Sequence, residues 1–189
     1  MDAINLFSRT YRHEVLGLNF NKDNAPEYTV DQDFIPRRIT SAVIAFEGVK
    51  SGDDSKYSVM WSLLGYPACA VAIPLLVTPD HLPAYMTARS PLAKEGKLLN
   101  CEMCDKSLKI KNEWAFPLHI SNGNKYVSMQ NILRGAEGKP ALLDCTREVE
   151  QKILDDFLPL YAQWVEGALS DQAFFRLYDQ AAKQWIKKY

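Results

Sequence analysis

The residues of this chain that could do chemistry are few, and they are spread along its length. The closest pair of candidate metal ligands or redox thiols is Cys101-Glu-Met-Cys104. A zinc site would need a second such pair or two histidines downstream, and a thioredoxin-like pair would need a strand directly before it. The sequence has neither, so we expect two reduced thiols one helical turn apart near a helix start, with no metal and no cofactor.

A thiol nucleophile inside the chain is the next candidate. The chain has three histidines, none of them in a metal-binding pair such as HExxH: His13, His81 and His119. Cys69 could act as a nucleophile only if His81 or His119 lies beside it in the fold, and the sequence does not establish that. Cys69 also lies in the apolar run 67–77, so we expect it to be a buried core residue.

Two arginines stand directly before an apolar segment. Arg37 and Arg38 follow Phe34-Ile35-Pro36 and precede the run that begins at Ile39. A guanidinium fixed at the start of a strand can bind a carboxylate in bidentate fashion or orient a nucleophile in a pocket. Arginines in loops also commonly form surface ion pairs, so a functional and a structural role both stay open.

The remaining polar clusters have ordinary structural explanations. Asp53-Asp54 and Asp155-Asp156 are adjacent pairs and do not face each other across a cleft as an acid and base pair would. The turn Ser121-Asn-Gly-Asn-Lys125 could offer backbone amides to a ligand, although asparagine and glycine there mainly accommodate positive φ.

Composition excludes several classes of protein. The 189 residues are 47% apolar and 11% aromatic, and the formal net charge is −1, which indicates one sizeable core and no field that would attract nucleic acid. The longest apolar stretch, 67–77, is far shorter than the ~20 residues that span a bilayer. Four cysteines in this length do not suggest a disulfide framework. We therefore expect a single domain over 1–189.

The elements that would position these residues begin with a helix and continue with strands. Apolar spacings of three and four predict a helix over 3–18, followed by a loop over 19–38. The segment 39–49 is apolar on both alternating faces and predicts a strand covered on two sides. It forms a hairpin with 57–64, and 71–77 predicts a third strand in which Pro74 requires an edge or a bulge.

The second half of the chain is mainly helical. The predicted elements are a helix over 91–111, a strand or irregular segment over 126–133, a long helix from Thr146 that contains Pro159, and a last helix capped at Ser170-Asp171. Helix, antiparallel strands and then helices, without alternating βαβ units, predict an α+β layered fold.

Five stretches of this sequence, in this order, resemble one family. They are DFIPRRITSAVIAFEGVKSGDD (33–54), SVMWSLLGYPACAVAIPLLV (58–77), LPAYM (82–86), NCEMCDKSL (100–108) and AFPLHISNGNKYV (115–127). Together they look like the C-terminal half of linear-amide hydrolases of the N-terminal-nucleophile superfamily, the group that includes acyl-coenzyme A:6-aminopenicillanate acyltransferase and the choloylglycine hydrolases.

The resemblance implies an αββα layered sandwich, of which this chain would form an incomplete half with antiparallel strands and C-terminal helices. In such enzymes an N-terminal cysteine, exposed by autocatalytic cleavage, attacks an amide carbonyl while its own α-amine acts as base. Asparagine and backbone donors then hold the oxyanion. The chain begins Met1-Asp2-Ala3 and has no cysteine at such a position. We therefore expect the nucleophile and the oxyanion asparagine upstream of Met1, and an inactive chain in isolation.

Arg37 is the catalytic residue that the resemblance leaves within the chain. The choloylglycine hydrolases have a serine-arginine-phenylalanine element near the nucleophile, and Arg37, directly after Pro36, matches its arginine better than Arg38 does. Its implied role is to support the electrostatic environment of the nucleophile. The substrate would be a small-molecule amide; bile-acid amides, penicillin-like amides and peptidoglycan fragments all stay open.

A second interpretation is a non-catalytic binding or association module on the same scaffold. An open sheet edge would favour a homodimer, because unpaired strands recruit partners. No signal peptide is visible in the chain, and export to the periplasm or beyond would require a longer precursor.

Overall fold

The computed structural model describes residues 1–78, 81–87, 101–120, 122–136 and 138–189. The helices are α1 (Asp2–Ser8), α2 (Ala84–Thr87), α3 (Glu102–Ile110), α4 (Leu142–Val165) and α5 (Asp171–Lys188). The strands are β1 (Arg12–His13), β2 (Leu18–Asn19), β3 (Tyr28–Val30), β4 (Ala42–Glu47), β5 (Val59–Leu64), β6 (Ile73–Leu76) and β7 (Tyr126–Ser128). One π-helical turn, Lys111–Ala115, follows α3 and another, Gln130–Arg134, follows β7.

Three of the strands form an antiparallel sheet in the order β4-β5-β6. Ala45 pairs with Trp61, and Trp61 pairs with Pro74 on the other side. Pro74 therefore lies in a strand at the edge of the described sheet, where its missing N–H interrupts no second ladder. This confirms the position that the sequence predicts for Pro74.

Helices α4 and α5 pack on the Trp61 face of this sheet. The Trp61 ring meets Phe157 of α4 edge to face at 5.6 Å, and the Tyr178 hydroxyl of α5 donates to the Pro74 carbonyl at 2.5 Å. The two helices are joined to each other by stacked Trp164 and Phe174 rings, whose centroids are 4.3 Å apart. Such aromatic pairs add specific geometry to the burial of apolar area.

A second hydrophobic cluster lies around the pair β3-β7. Its buried residues include Tyr11, Phe34, Tyr66, Val127 and Ile132. Tyr11 and Tyr66 share a hydrogen bond between their hydroxyls at 2.6 Å, and burial raises the pKa of both phenols. Both therefore stay neutral at physiological pH, and their polar atoms are satisfied inside an apolar region.

The coarse prediction is confirmed, since the chain is mixed α and β with antiparallel strands and helices at its C-terminal end. The hairpin and the third strand are where the sequence indicates them, and the Ser170 hydroxyl caps α5 by accepting from the Ala173 amide at 3.3 Å. Helix α3 ends at Ile110 close to the predicted end, but the predicted part over 91–100 lies outside the described residues. No helix among the described residues is long and apolar enough to span a membrane.

Three predictions are wrong. The helix predicted over 3–18 ends at Ser8, because the chain turns there and Arg9 and Tyr11 enter buried contacts with distant residues. The strand predicted to be covered on both faces has one open face, where Ile44 is 51% and Phe46 74% exposed. The long helix also begins at Leu142, four residues before the predicted Thr146 cap.

A buried ion pair connects α1 to α4. Arg9 and Glu150 are 4% and 2% exposed, and the guanidinium donates to both carboxylate oxygens at 2.6 and 2.7 Å. Its remaining donors reach the side chain of Asn5 and the carbonyls of Pro67 and Ala70. All five guanidinium N–H groups are therefore used, which is the condition under which a buried arginine is tolerated.

Removing the carboxylate of this pair should destabilise the protein severely. Glu150→Ala leaves Arg9 buried and uncompensated, so we expect the free energy of unfolding to fall by ~3–5 kcal/mol. Chemical denaturation followed by circular dichroism measures it. The matched control is Glu148→Ala on the same helix, which removes an exposed pair with Lys188 and should cost less than ~1 kcal/mol. Equal costs for the two variants would contradict the role given to Glu150.

Candidate functional site

The loop between β3 and β4 carries both arginines that the sequence singles out. Arg37 is exposed, and its Nε donates to the Phe34 carbonyl at 3.3 Å. Its backbone amide donates to the Thr40 hydroxyl at 3.1 Å. Arg37 and His13 are among the residues that line an open depression of about 460 Å³. The loop therefore fixes the backbone of Arg37 and presents its side chain to the surface.

Arg38 lines a different pocket from Arg37. It is half-buried, and its backbone amide donates to a carboxylate oxygen of Asp31 at 2.5 Å. Asp31 is only 5% exposed, and its own amide donates to the carbonyl of Lys125 at 3.3 Å. The antiparallel pairing of Val30 with Tyr126 brings this part of the chain beside Lys125. Asp31 thus holds the backbones of two cationic residues that are far apart in sequence.

These contacts build a pocket of about 350 Å³, which we call the Arg38 pocket. Its walls include Arg38, Phe116, Leu118, His119, Lys125 and Tyr126. The Tyr126 hydroxyl accepts a hydrogen bond from the Asn122 side chain at 2.9 Å, and hydrogen bonds from Asn122 and then Asn124 lower the pKa of this phenol. The pocket combines cationic and aromatic groups.

Three of the four cysteines have thiols that burial makes less reactive. Cys69 is fully buried, and burial raises its pKa well above the ordinary range. Burial also raises the pKa of Cys104 and of Cys145. Cys101 is the N-cap of α3, so the two CxxC thiols flank a helix start as predicted. A raised pKa keeps a thiol protonated and unreactive at physiological pH.

The histidines are not beside Cys69. Cys69 lines an apolar pocket of about 310 Å³ with Trp114 and Tyr189, and no histidine is among the described residues that line it. The His81 ring stacks against Phe175, with Nε2 3.0 Å from a carboxylate oxygen of Asp179. Among the described residues there is no group of three or more side chains that could hold a metal ion. The structure therefore gives no support to a Cys-His pair.

Sequence reasoning missed the residues that organise the Arg38 pocket. Lys125 lies in the turn singled out for its amides, so its cationic side chain could have been recognised from the sequence as a candidate ligand contact. Asp31 carried none, because an aspartate in a polar loop has many ordinary roles and its partners lie 7 and 94 positions further along the chain.

Comparison with known proteins finds no family model that matches the chain, no similar curated protein and no similar solved structure. The family resemblance therefore stays a prediction, and function has to be argued from the geometry.

Burial of Cys69 predicts slow alkylation. In the native protein at pH 8 we expect iodoacetamide to modify Cys69 at least ~100-fold more slowly than after unfolding in guanidinium chloride, because the raised pKa and the lack of access both remove reactive thiolate. Mass spectrometry of tryptic peptides measures each cysteine separately, and the unfolded sample is the control. Rapid native labelling of Cys69 would restore the thiol-enzyme interpretation.

Proposed function

We propose that this chain forms the C-terminal part of an amide hydrolase or acyltransferase of the N-terminal-nucleophile superfamily, acting on a C–N bond. The nucleophilic cysteine and the oxyanion asparagine are supplied by residues outside this chain, which is inactive without them. Besides the resemblance, the observation that carries the proposal is the open apolar face of β4 in a sheet whose other face is covered by helices.

The register of the sheet defines this face. Residues directly opposite each other share a face, so Phe46 of β4, Met60 of β5 and Leu75 of β6 form one row. Phe46 is exposed, Met60 is half-buried and Leu75 is buried. Ile44, in the next row, is also exposed. The open area therefore lies over β4 and closes toward β6.

An αββα sandwich accounts for such a face. Its two sheets pack about 10 Å apart, with the inner faces in contact and helices outside. In this chain α4 and α5 supply one helical layer, and the β4-β5-β6 sheet supplies part of one sheet. A second sheet lying over Ile44 and Phe46 would bury these exposed apolar side chains and complete the layer order. Among the described strands β4 pairs only with β5, so its other edge could also accept a further strand.

The supporting role proposed for Arg37 fits its position. Arg37 lies in the loop that leads into β4, and its guanidinium is at the surface rather than in the core. A segment that covers β4 could therefore approach it. There the guanidinium would stabilise negative charge near the nucleophile, while the α-amine of the N-terminal cysteine accepts the thiol proton and the thiolate attacks the amide carbonyl.

The same open face also favours the second candidate, a non-catalytic module that associates through β4. In that case two copies, or a partner protein, cover Ile44 and Phe46, and no nucleophile is added. A homodimer completed through the sheet edge belongs to this candidate, and light scattering that finds only a monomer counts against it.

The enzyme proposal predicts an N-terminal cysteine on the mature protein. We expect protein captured from its natural source with an antibody against this chain to react with 2-cyanobenzothiazole, which is selective for N-terminal cysteines, and to release the amine from acyl amides. Mass spectrometry locates the modified peptide, and pretreatment with iodoacetamide should abolish both signals. Captured protein with neither the labelled cysteine nor amide hydrolysis would exclude the enzyme and leave the association module.

The role of Arg37 can be tested in that active form. Arg37→Gln should lower kcat/KM by ~10²-fold or more, because it removes a fixed charge near the reacting group. Its melting temperature should be unchanged, since the side chain is exposed. The matched control is Arg147→Gln, an exposed arginine on α4 in a long contact with Asp144, which should retain activity within about twofold. Equal activity of the two variants would remove Arg37 from the site.

A further inference from the structure

We propose that the Arg38 pocket binds a small organic carboxylate that carries an apolar body. The inference rests on the contacts of the described residues and does not depend on the proposed function.

The first argument is uncompensated positive charge. Among the residues whose side chains the structure describes, no carboxylate forms an ion pair with the side chain of Arg38 or Lys125, and none of the described lining residues is acidic. An anion placed here would be attracted by the side chains of Arg38 and Lys125 at once.

The second argument is that the backbone segments that carry the two cations are held in place. The buried carboxylate of Asp31 accepts from the amide of Arg38, while the amide of Asp31 donates to the carbonyl of Lys125. The pairing of β3 with β7 fixes the same region a second time. A site whose backbone is already fixed by a buried network loses less free energy to ordering when a ligand binds.

The third argument concerns the rest of the wall. Phe116, Leu118 and Ile120 lie beside the cations, and Leu118 and Ile120 are exposed. A bare phosphate or sulfate would leave these apolar groups in water. An aliphatic or aromatic body would cover them, and a volume of about 350 Å³ is at the lower end of small-molecule sites. The planar guanidinium of Arg38 suits a carboxylate, which it can bind with two parallel hydrogen bonds.

The test uses 4-phenylbutyrate as probe, with 4-phenylbutyramide as the neutral compound of the same shape and inorganic phosphate as the bare anion. Titration calorimetry and amide chemical shifts in 1H-15N spectra measure binding and its location. We expect saturable binding of 4-phenylbutyrate with shifts in residues 116–126. The amide and the phosphate should each bind at least ~10-fold more weakly, because each lacks one of the two contacts.

Variants distinguish binding in the Arg38 pocket from nonspecific attraction to positive charge on the surface. Arg38→Gln should weaken 4-phenylbutyrate at least ~10-fold while keeping the backbone bond to Asp31, and Lys125→Gln, an exposed change, should weaken it about fivefold. Arg12→Gln, which removes an exposed arginine paired with Glu14, is the control and should bind as the parent does. If Arg38→Gln fails to fold, the Lys125 variant decides alone. Equal binding of acid and amide, equal binding of phosphate, or parental affinity in the Lys125 variant would overturn the proposal.

Discussion

The interaction on which the arrangement of the chain depends is the buried pair of Arg9 and Glu150. Glu150 also accepts from the amide of Ala72 at 2.8 Å, so the pair is bound to the segment 67–72 from both of its members. A buried ion pair is a weak contributor to net stability compared with an apolar replacement. Its hydrogen bonds, however, require a defined geometry. In this protein they fix the placement of the end of α1, the 67–72 segment and α4 relative to one another.

That placement lies where the two hydrophobic clusters meet. Along the chain, Tyr66 and Cys69 belong to one cluster, and Val71 and Ile73, which follow them directly, belong to the other. Helix α4 does the same, with Leu143 on one side of Glu150 and Ile153 on the other. Because polar groups inside an apolar region must find their partners, the pair fixes the register between the two clusters. Apolar packing alone would specify that register less strictly.

The pair also illustrates which parts of the fold can be predicted from the sequence. The hairpin β4-β5, the edge position of Pro74 and the Ser170 cap follow from local patterns, and each is found where the pattern indicates. The helix predicted over 3–18 failed because its apolar spacing is local, whereas the partner of Arg9 lies 141 residues away. The apolar residues of β4 predict a buried face, because composition indicates only that such a surface prefers an apolar contact. It does not indicate whether the contact lies within the same chain.

The candidate sites follow the same rule. In the sequence Arg37 and Arg38 form one feature, yet they line different depressions, Arg37 the one that it shares with residues 12–15 and Arg38 the Arg38 pocket. What separates them is Asp31, which binds the amide of Arg38 and leaves Arg37 to its own loop. Neighbouring residues with the same charge therefore lie in different surface depressions. The backbone of Arg38 is held by a buried carboxylate that belongs to no motif, so the role of Asp31 could be recognised only after the strands β3 and β7 had been paired.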